Sequence, residues 1–146
     1  MYLIHGAYET NPDEMQQDGT IDHERSLELR RLALKNKVMK VKLQAGYTVM
    51  TRMLGVPWLP IVQTNDVCKF EPVENSDTIK EGDIVFCENQ RKNQFAVQKV
   101  LNVYEEMNIR YYDIGYYDIT NDRGCKHGWC QSQHIYGRLV EVLCGE

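Results

Sequence analysis

A chain of 146 residues is long enough for one domain with a sizeable core. Its net charge of −4 argues against a nucleic-acid surface, where a basic stripe is expected. No apolar run reaches the roughly 18 residues that span a membrane, and no positive-then-apolar leader opens the chain, so neither a membrane anchor nor a nucleic-acid partner is expected. The five cysteines (Cys68, Cys87, Cys125, Cys130 and Cys144) cannot close into pairs, and this odd count predicts reduced thiols in a reducing compartment.

Residues 1–19 read as an N-terminal arm. Asn11-Pro12-Asp13 and Asp18-Gly19 carry turn chemistry. Tyr2, Leu3, Ile4 and Tyr8 form a small apolar cluster, either frayed or docked on a neighbouring chain. Residues 20–37 are predicted to be the one helix. Thr20 can cap it, Asp22 and Glu24 suit its first turn, and Lys35 and Lys37 suit its last. Ile21, Leu27 and Leu34, widened by Leu29, Leu32 and Ala33, make a stripe that covers a β core or is offered to a partner protein. The helix is too short, with its flanks, for a helix-turn-helix.

From Val38 the period changes to two. Val38, Lys40, Lys42 and Gln44 alternate with Met39, Val41, Leu43 and Ala45, which predicts a half-buried strand with a solvated lysine face and a turn or bulge at Gly46. Further strands are expected over 47–54, 66–73, 83–88, 95–101, 109–114, 116–119 and 135–143, with a hairpin turn over 89–93. Residues 38–146 thus form one mainly β domain without internal repeats or linkers. The pairs Tyr111, Tyr112 and Tyr116, Tyr117 are read as core or as a partner-facing patch.

Cys125-x-His127-x2-Cys130-x3-His134 puts four soft ligands within ten residues, a candidate zinc loop. The alternatives are a loop without metal or a Cys125–Cys130 disulfide. Asp83 and Asp122, beside glycine and arginine in turns, are poor material for paired-carboxylate catalysis.

Three segments carry a resemblance. The first is Gly55-Val56-Pro57-Trp58-Leu59-Pro60 with the later Gly82-Asp83-Ile84-Val85. The second is Phe95-Ala96-Val97-Gln98-Lys99-Val100. The third is Asn121-Asp122-Arg123-Gly124, then Gly128-Trp129, then Ile135-Tyr136-Gly137-Arg138-Leu139-Val140. In order and spacing the chain resembles the signal-peptidase and LexA-like serine peptidases, which implies their β-rich fold. It departs from them at the chemistry. Pro57 stands where the resemblance implies the serine nucleophile, and Gln98 where it implies the general base. Neither can act in that role.

The expectation is therefore a non-enzymatic binding or structural protein on an inactivated peptidase-like fold. Small anchorless members of that family are frequent in bacteriophage genomes. The resemblance thus implies a virion component, such as a capsid-decoration, head–tail or tail protein, assembled in the host cytoplasm with other protein subunits as partners. Two alternatives stand beside it. One is a residual peptidase with a relocated dyad of Ser76 and Lys99. The other is a regulatory protein that binds a partner segment in the former substrate groove.

Overall fold

The computed structural model describes residues 2–5, 23–52, 66–74, 78–118 and 122–143. Among these, eight strands form one sheet: β1 (Tyr2–His5), β2 (Val49–Arg52), β3 (Val67–Pro72), β4 (Ile84–Asn89), β5 (Gln94–Glu106), β6 (Ile109–Asp118), β7 (Arg123–Gln131) and β8 (Ile135–Leu143). One helix, α1 (His23–Gln44), precedes β2, and one short 3-10 turn, Ser132–His134, joins β7 to β8. The fold is mainly β, as composition and patterning predict.

The sheet runs in the order β1-β2-β3-β8-β4-β5-β6-β7. β1 pairs parallel with β2, and every other pair is antiparallel. The backbone around Tyr2, Leu3 and Ile4 is an edge strand of the sheet; Tyr8 lies outside the described residues. The expected strands over 109–114 and 116–119 are one, β6. It is joined to β5 by a two-residue turn with Met107 and Asn108 at φ 52° and 65°, the backbone that turns a tight hairpin in register with strand twist.

The helix is longer than its expected 20–37 span. It runs through Gln44 and absorbs the strand expected from Val38. The alternation of valine and lysine there is also compatible with a helix, and a longer pattern decides. Leu32, Asn36, Met39 and Leu43 are all buried and recur at spacings of four, three and four. No glycine or proline interrupts His23–Gln44, and most of its residues are strong helix formers. Gly46 ends it. At φ 92° its N–H donates to the Leu43 carbonyl (3.0 Å) while the Tyr47 N–H donates to that of Lys42 (3.0 Å), the pairing of a Schellman end. Leu27 and Leu34, expected on the inner stripe, are exposed instead. The expected cap Thr20 lies outside the described residues.

Two apolar clusters share the core. In the first, Met39 and Leu43 of α1 meet Val49, Cys68, Phe70, Ile84, Phe86, Val97 and Tyr136. The second holds Ile79, Val85, Cys87, Val100, Tyr112, Ile114, Cys130 and Ile135. It lies inside a curl, because the sheet bends until β7 returns against the far end of β4. There the Gln90 N–H donates to the Trp129 carbonyl (2.8 Å), and the buried Asn89 Nδ2 donates to the His127 carbonyl (3.3 Å). Glycine is required at this closure, because a β-carbon on Gly128 would fall on the Asn89 side chain. A register shift in the β6–β7 pairing puts His127 on a bulge beside it.

Candidate functional site

Where the helix ends, two hollows of about 560 and 470 Å³ meet at Gly46, Pro72, Val73 and Glu74. Both are within the size range of ligand sites. The Schellman end of α1 supplies one wall, with Leu43, Gln44 and Gly46. The Ser132–His134 turn and the start of β8 supply another, with Ser132, Gln133, Ile135 and Tyr136. The second hollow adds Thr48, Glu71, Thr78 and Arg138. The result is a trough with an apolar floor of Leu43, Pro72, Val73 and Ile135, and a rim on which Glu71, Glu74, Thr78 and Gln133 are exposed.

Arg138 is the cation of this trough. Its Nη1 donates to the Thr78 carbonyl (3.4 Å) and to Thr78 Oγ1 (3.3 Å), and lies 3.9 Å from Asp83 Oδ2. Asp83 is held in turn: its Oδ2 accepts from the Lys80 N–H (3.0 Å), and the Lys80 carbonyl accepts from the Asp83 N–H (3.1 Å) across a turn with Gly82 at φ 96°. The Gly82-Asp83 and Gly137-Arg138 motifs, far apart in sequence, thus meet at one place.

Behind the trough wall stands a polar cluster anchored on Glu88. Its Oε1 accepts from the Tyr136 hydroxyl (2.6 Å) and from Lys40 Nζ (2.9 Å), tying α1 to β4 and β8. Lys40 Nζ also sits 5.0 Å from the Tyr136 ring centre and 5.9 Å from that of Phe95. Burial pushes the Glu88 carboxyl up, but the bonds from Tyr136 and Lys40, with the nearby charges of Lys40 and His134, hold it below the usual range. Burial and then the bond to Glu88 push the Tyr136 hydroxyl up. Burial pushes His134 down, against the pull of Glu88, and its Nδ1 accepts from the Gln131 N–H (3.3 Å).

The Glu88 and His134 shifts give a pH dependence of one sign. A carboxylate and an imidazole whose folded values both lie below their unfolded ones stabilise the fold at higher pH and lose that contribution as pH falls. Urea unfolding at a series of pH values is expected to show stability declining from near the ordinary imidazole value of about 6.5 and further through the carboxylate range. Glu88→Gln should flatten the lower part of the decline. A stability that rises on acidification would contradict the assignment.

The residues singled out by sequence distribute as follows. Pro57 and Ser76 lie outside the described residues. Gln98, at the implied base position, is fully buried, with Nε2 3.0 Å from His127 Nδ1. An amide nitrogen only donates, so in this placement His127 Nδ1 is the acceptor. Pairing places Glu71, Arg138, Val85 and Gln98 in one row across four strands, on one face. Gln98 is two strands from Arg138, about 10 Å at ordinary strand spacing, with the buried Val85 between them. Its neighbour Lys99 points to the other face.

The candidate ligands Cys125, His127, Cys130 and His134 do not converge on one point. The stretch is strand β7, not a loop. Extended backbone carries Cys130 about 16 Å from Cys125 at some 3.3 Å per residue. Cys130 is buried in the second cluster, His127 is turned to Gln98 and Tyr116, and His134 belongs to the Glu88 cluster. Among the described residues no group of three or more His, Cys, Asp or Glu is placed to hold a metal. None of the four described cysteines is in a disulfide, and burial, then the nearby Asp66 charge, pushes the Cys68 thiol up to about 12.

Tyr112 is core, whereas Tyr111 stacks on Tyr104 (5.4 Å between centres) and meets the Trp129 edge. The lysines of 35–42 lie on helix α1, not on a strand face. Sequence reasoning passed over Glu88, Tyr136 and Lys40. Glu88 carried a readable signal, as the acid that interrupts the otherwise buried strand Ile84–Asn89. No described helix is long and apolar enough to cross a membrane. Compared with known proteins, the chain matches no family model and no curated sequence.

Proposed function

We propose that this is a non-enzymatic binding protein that takes an extended segment of a partner protein in the trough between the end of α1, the end of β3 and the start of β8. The observation that carries this reading is the fate of Gln98. The position at which a peptidase would keep a proton acceptor open to substrate is sealed from solvent and spends its amide on His127. The trough, two strands away at Arg138, has an apolar floor for side chains and exposed polar groups on its rim. The resemblance to inactivated peptidase-like proteins extends the reading to a place in a larger assembly, such as a bacteriophage capsid-decoration, head–tail or tail component. That extension is an analogy of fold and family.

The test is incorporation. The full chain is expected to co-sediment with an assembled particle. Val73→Trp, which fills the trough floor, should lower incorporation at least tenfold while leaving the thermal transition in place. Recovery of the chain only as a free monomer counts against the reading. So does serine-directed fluorophosphonate labelling that disappears in Ser76→Ala, which would favour a peptidase instead.

A further inference from the structure

Helix α1 carries a second apolar face that no core cluster among the described residues includes. Leu32, Asn36, Met39 and Leu43 face the core. On the opposite side Leu27, Leu34, Val38 and Val41 stand 39%, 62%, 42% and 60% exposed. Their spacings of seven, four and three continue to the exposed Ala45 with another four. Successive residues of an α-helix are turned by about 100°, so this stripe lies nearly half a turn from the buried one. Burying one face would need only one stripe.

The spacing identifies the kind of surface. Leu27, Leu34 and Val41 take one position of a seven-residue repeat, and Arg31, Val38 and Ala45 take the other. That is the narrow two-in-seven seam of a coiled coil, not the broad apolar face with which a helix lies in a membrane interface.

The charges identify the partner. The positions flanking the seam hold Glu28, Arg30, Lys35, Lys37, Lys42 and Gln44, a net of +3, and Arg31 sits within it. Across His23–Gln44 there are seven basic and two acidic residues, giving +5 in a chain whose total is −4. Two parallel copies of this helix would set Arg30 against Lys35 and Lys37 against Lys42; in two antiparallel copies Lys35 and Lys37 would each meet themselves, and only Glu28 against Lys42 would attract. Like charges across flanking positions select against that pairing.

We propose that the outer face of α1 is one half of a heterotypic coiled coil, whose other half is an acidic helix of a partner protein. That helix carries aliphatic residues at its seam and Glu or Asp at its flanking positions. One further carboxylate faces Arg31, where a charged seam residue sets register and partner choice. From Leu27 to Val41 the seam runs about 21 Å at 1.5 Å per residue, so the partner needs about four helical turns. This surface is separate from the trough, which uses only the last residues of the helix, and it does not depend on what the trough binds.

The test uses the full chain and two synthetic 28-residue helical peptides. Both carry Leu and Val at the seam positions. One has Glu at the flanking positions and one has Lys. Fluorescence anisotropy is expected to show at least tenfold tighter binding of the acidic peptide, weakening with salt. The double variant Leu34→Ser, Val41→Ser should abolish that binding. Its thermal transition should stay within a few degrees, since both side chains are exposed. Equal binding of the two peptides would overturn the proposal. So would a wild-type dimer in sedimentation that the double variant dissolves, or seam-dependent binding to vesicles of 3:1 phosphatidylcholine and phosphatidylserine without binding to the acidic peptide. Val73→Trp should leave peptide binding unchanged, so failure here and failure of the trough reading are told apart.

Discussion

Phe86→Ala is expected to cost about 3–5 kcal/mol of folding stability, near the top of the range for a single core truncation. Phe86 is fully buried at the centre of the first cluster. Its ring stacks on Phe95 with centres 5.6 Å apart and planes within 1°, and meets Phe70 edge-on at 6.4 Å and Tyr136 at 6.3 Å. It is also a hinge of two ladders, since the residue pairs with Val97 on one side and Gly137 on the other. The neighbours cannot collapse into the space an alanine would leave. Helix α1 already touches the sheet as closely as Gly137 allows, where a β-carbon would come within 2.9 Å of Leu43 Cδ1. Urea unfolding with an unchanged m-value should show the loss, with a fall in Tm of about 10 °C or more. A loss below about 1 kcal/mol would mean that α1 and the sheet are not held together through this ring.

Gly128→Ala is expected to cost about 3 kcal/mol, far more than one added methyl group usually costs at a strand glycine. The cause is Asn89. Its side chain fills the place a β-carbon would take, is fully buried, donates to the His127 carbonyl (3.3 Å) and accepts from the Arg91 N–H (3.1 Å). Moving it breaks bonds that close the curl between β4 and β7 and leaves buried polar groups without them, at roughly 1–3 kcal/mol for such a group. Asn89→Ala should be destabilising by a similar amount. The informative measurement is the cycle. In the Asn89→Ala background the alanine at 128 has room, so its cost should nearly vanish, a coupling of about 2–3 kcal/mol. Simple additivity would show that the asparagine is not the obstacle.

The same closure bears on function. It keeps His127 beside the buried Gln98, at the end of the row that starts at Glu71 and runs through Arg138. Loosening it should expose Gln98 without giving it a proton acceptor's chemistry, since a carboxamide has no useful basicity near neutral pH.

How much of this the sequence determined by itself follows from the range of the forces involved. Local chemistry was enough for the β class, for the 90–93 hairpin turn between β4 and β5, and for the last strand, whose expected span of 135–143 is its observed one. Turn residues and side-chain periods act over a few residues, and nothing distant overrode them in these places. The end of α1 was misplaced at residue 37: the recurrence of Leu32, Asn36, Met39 and Leu43 leads on to Gly46, but a short run of alternating valine and lysine gave the competing period. Packing of Met39 and Leu43 against the sheet decided between the two. The site belongs almost wholly to the tertiary level. Lys40 and Glu88 are 48 residues apart, as are Glu88 and Tyr136, and Arg138 and Thr78 are 60 apart. No local pattern encodes which residues a curled sheet brings together. The sequence could therefore name Gln98 as unreactive, but only the closing of β7 onto β4 could bury it.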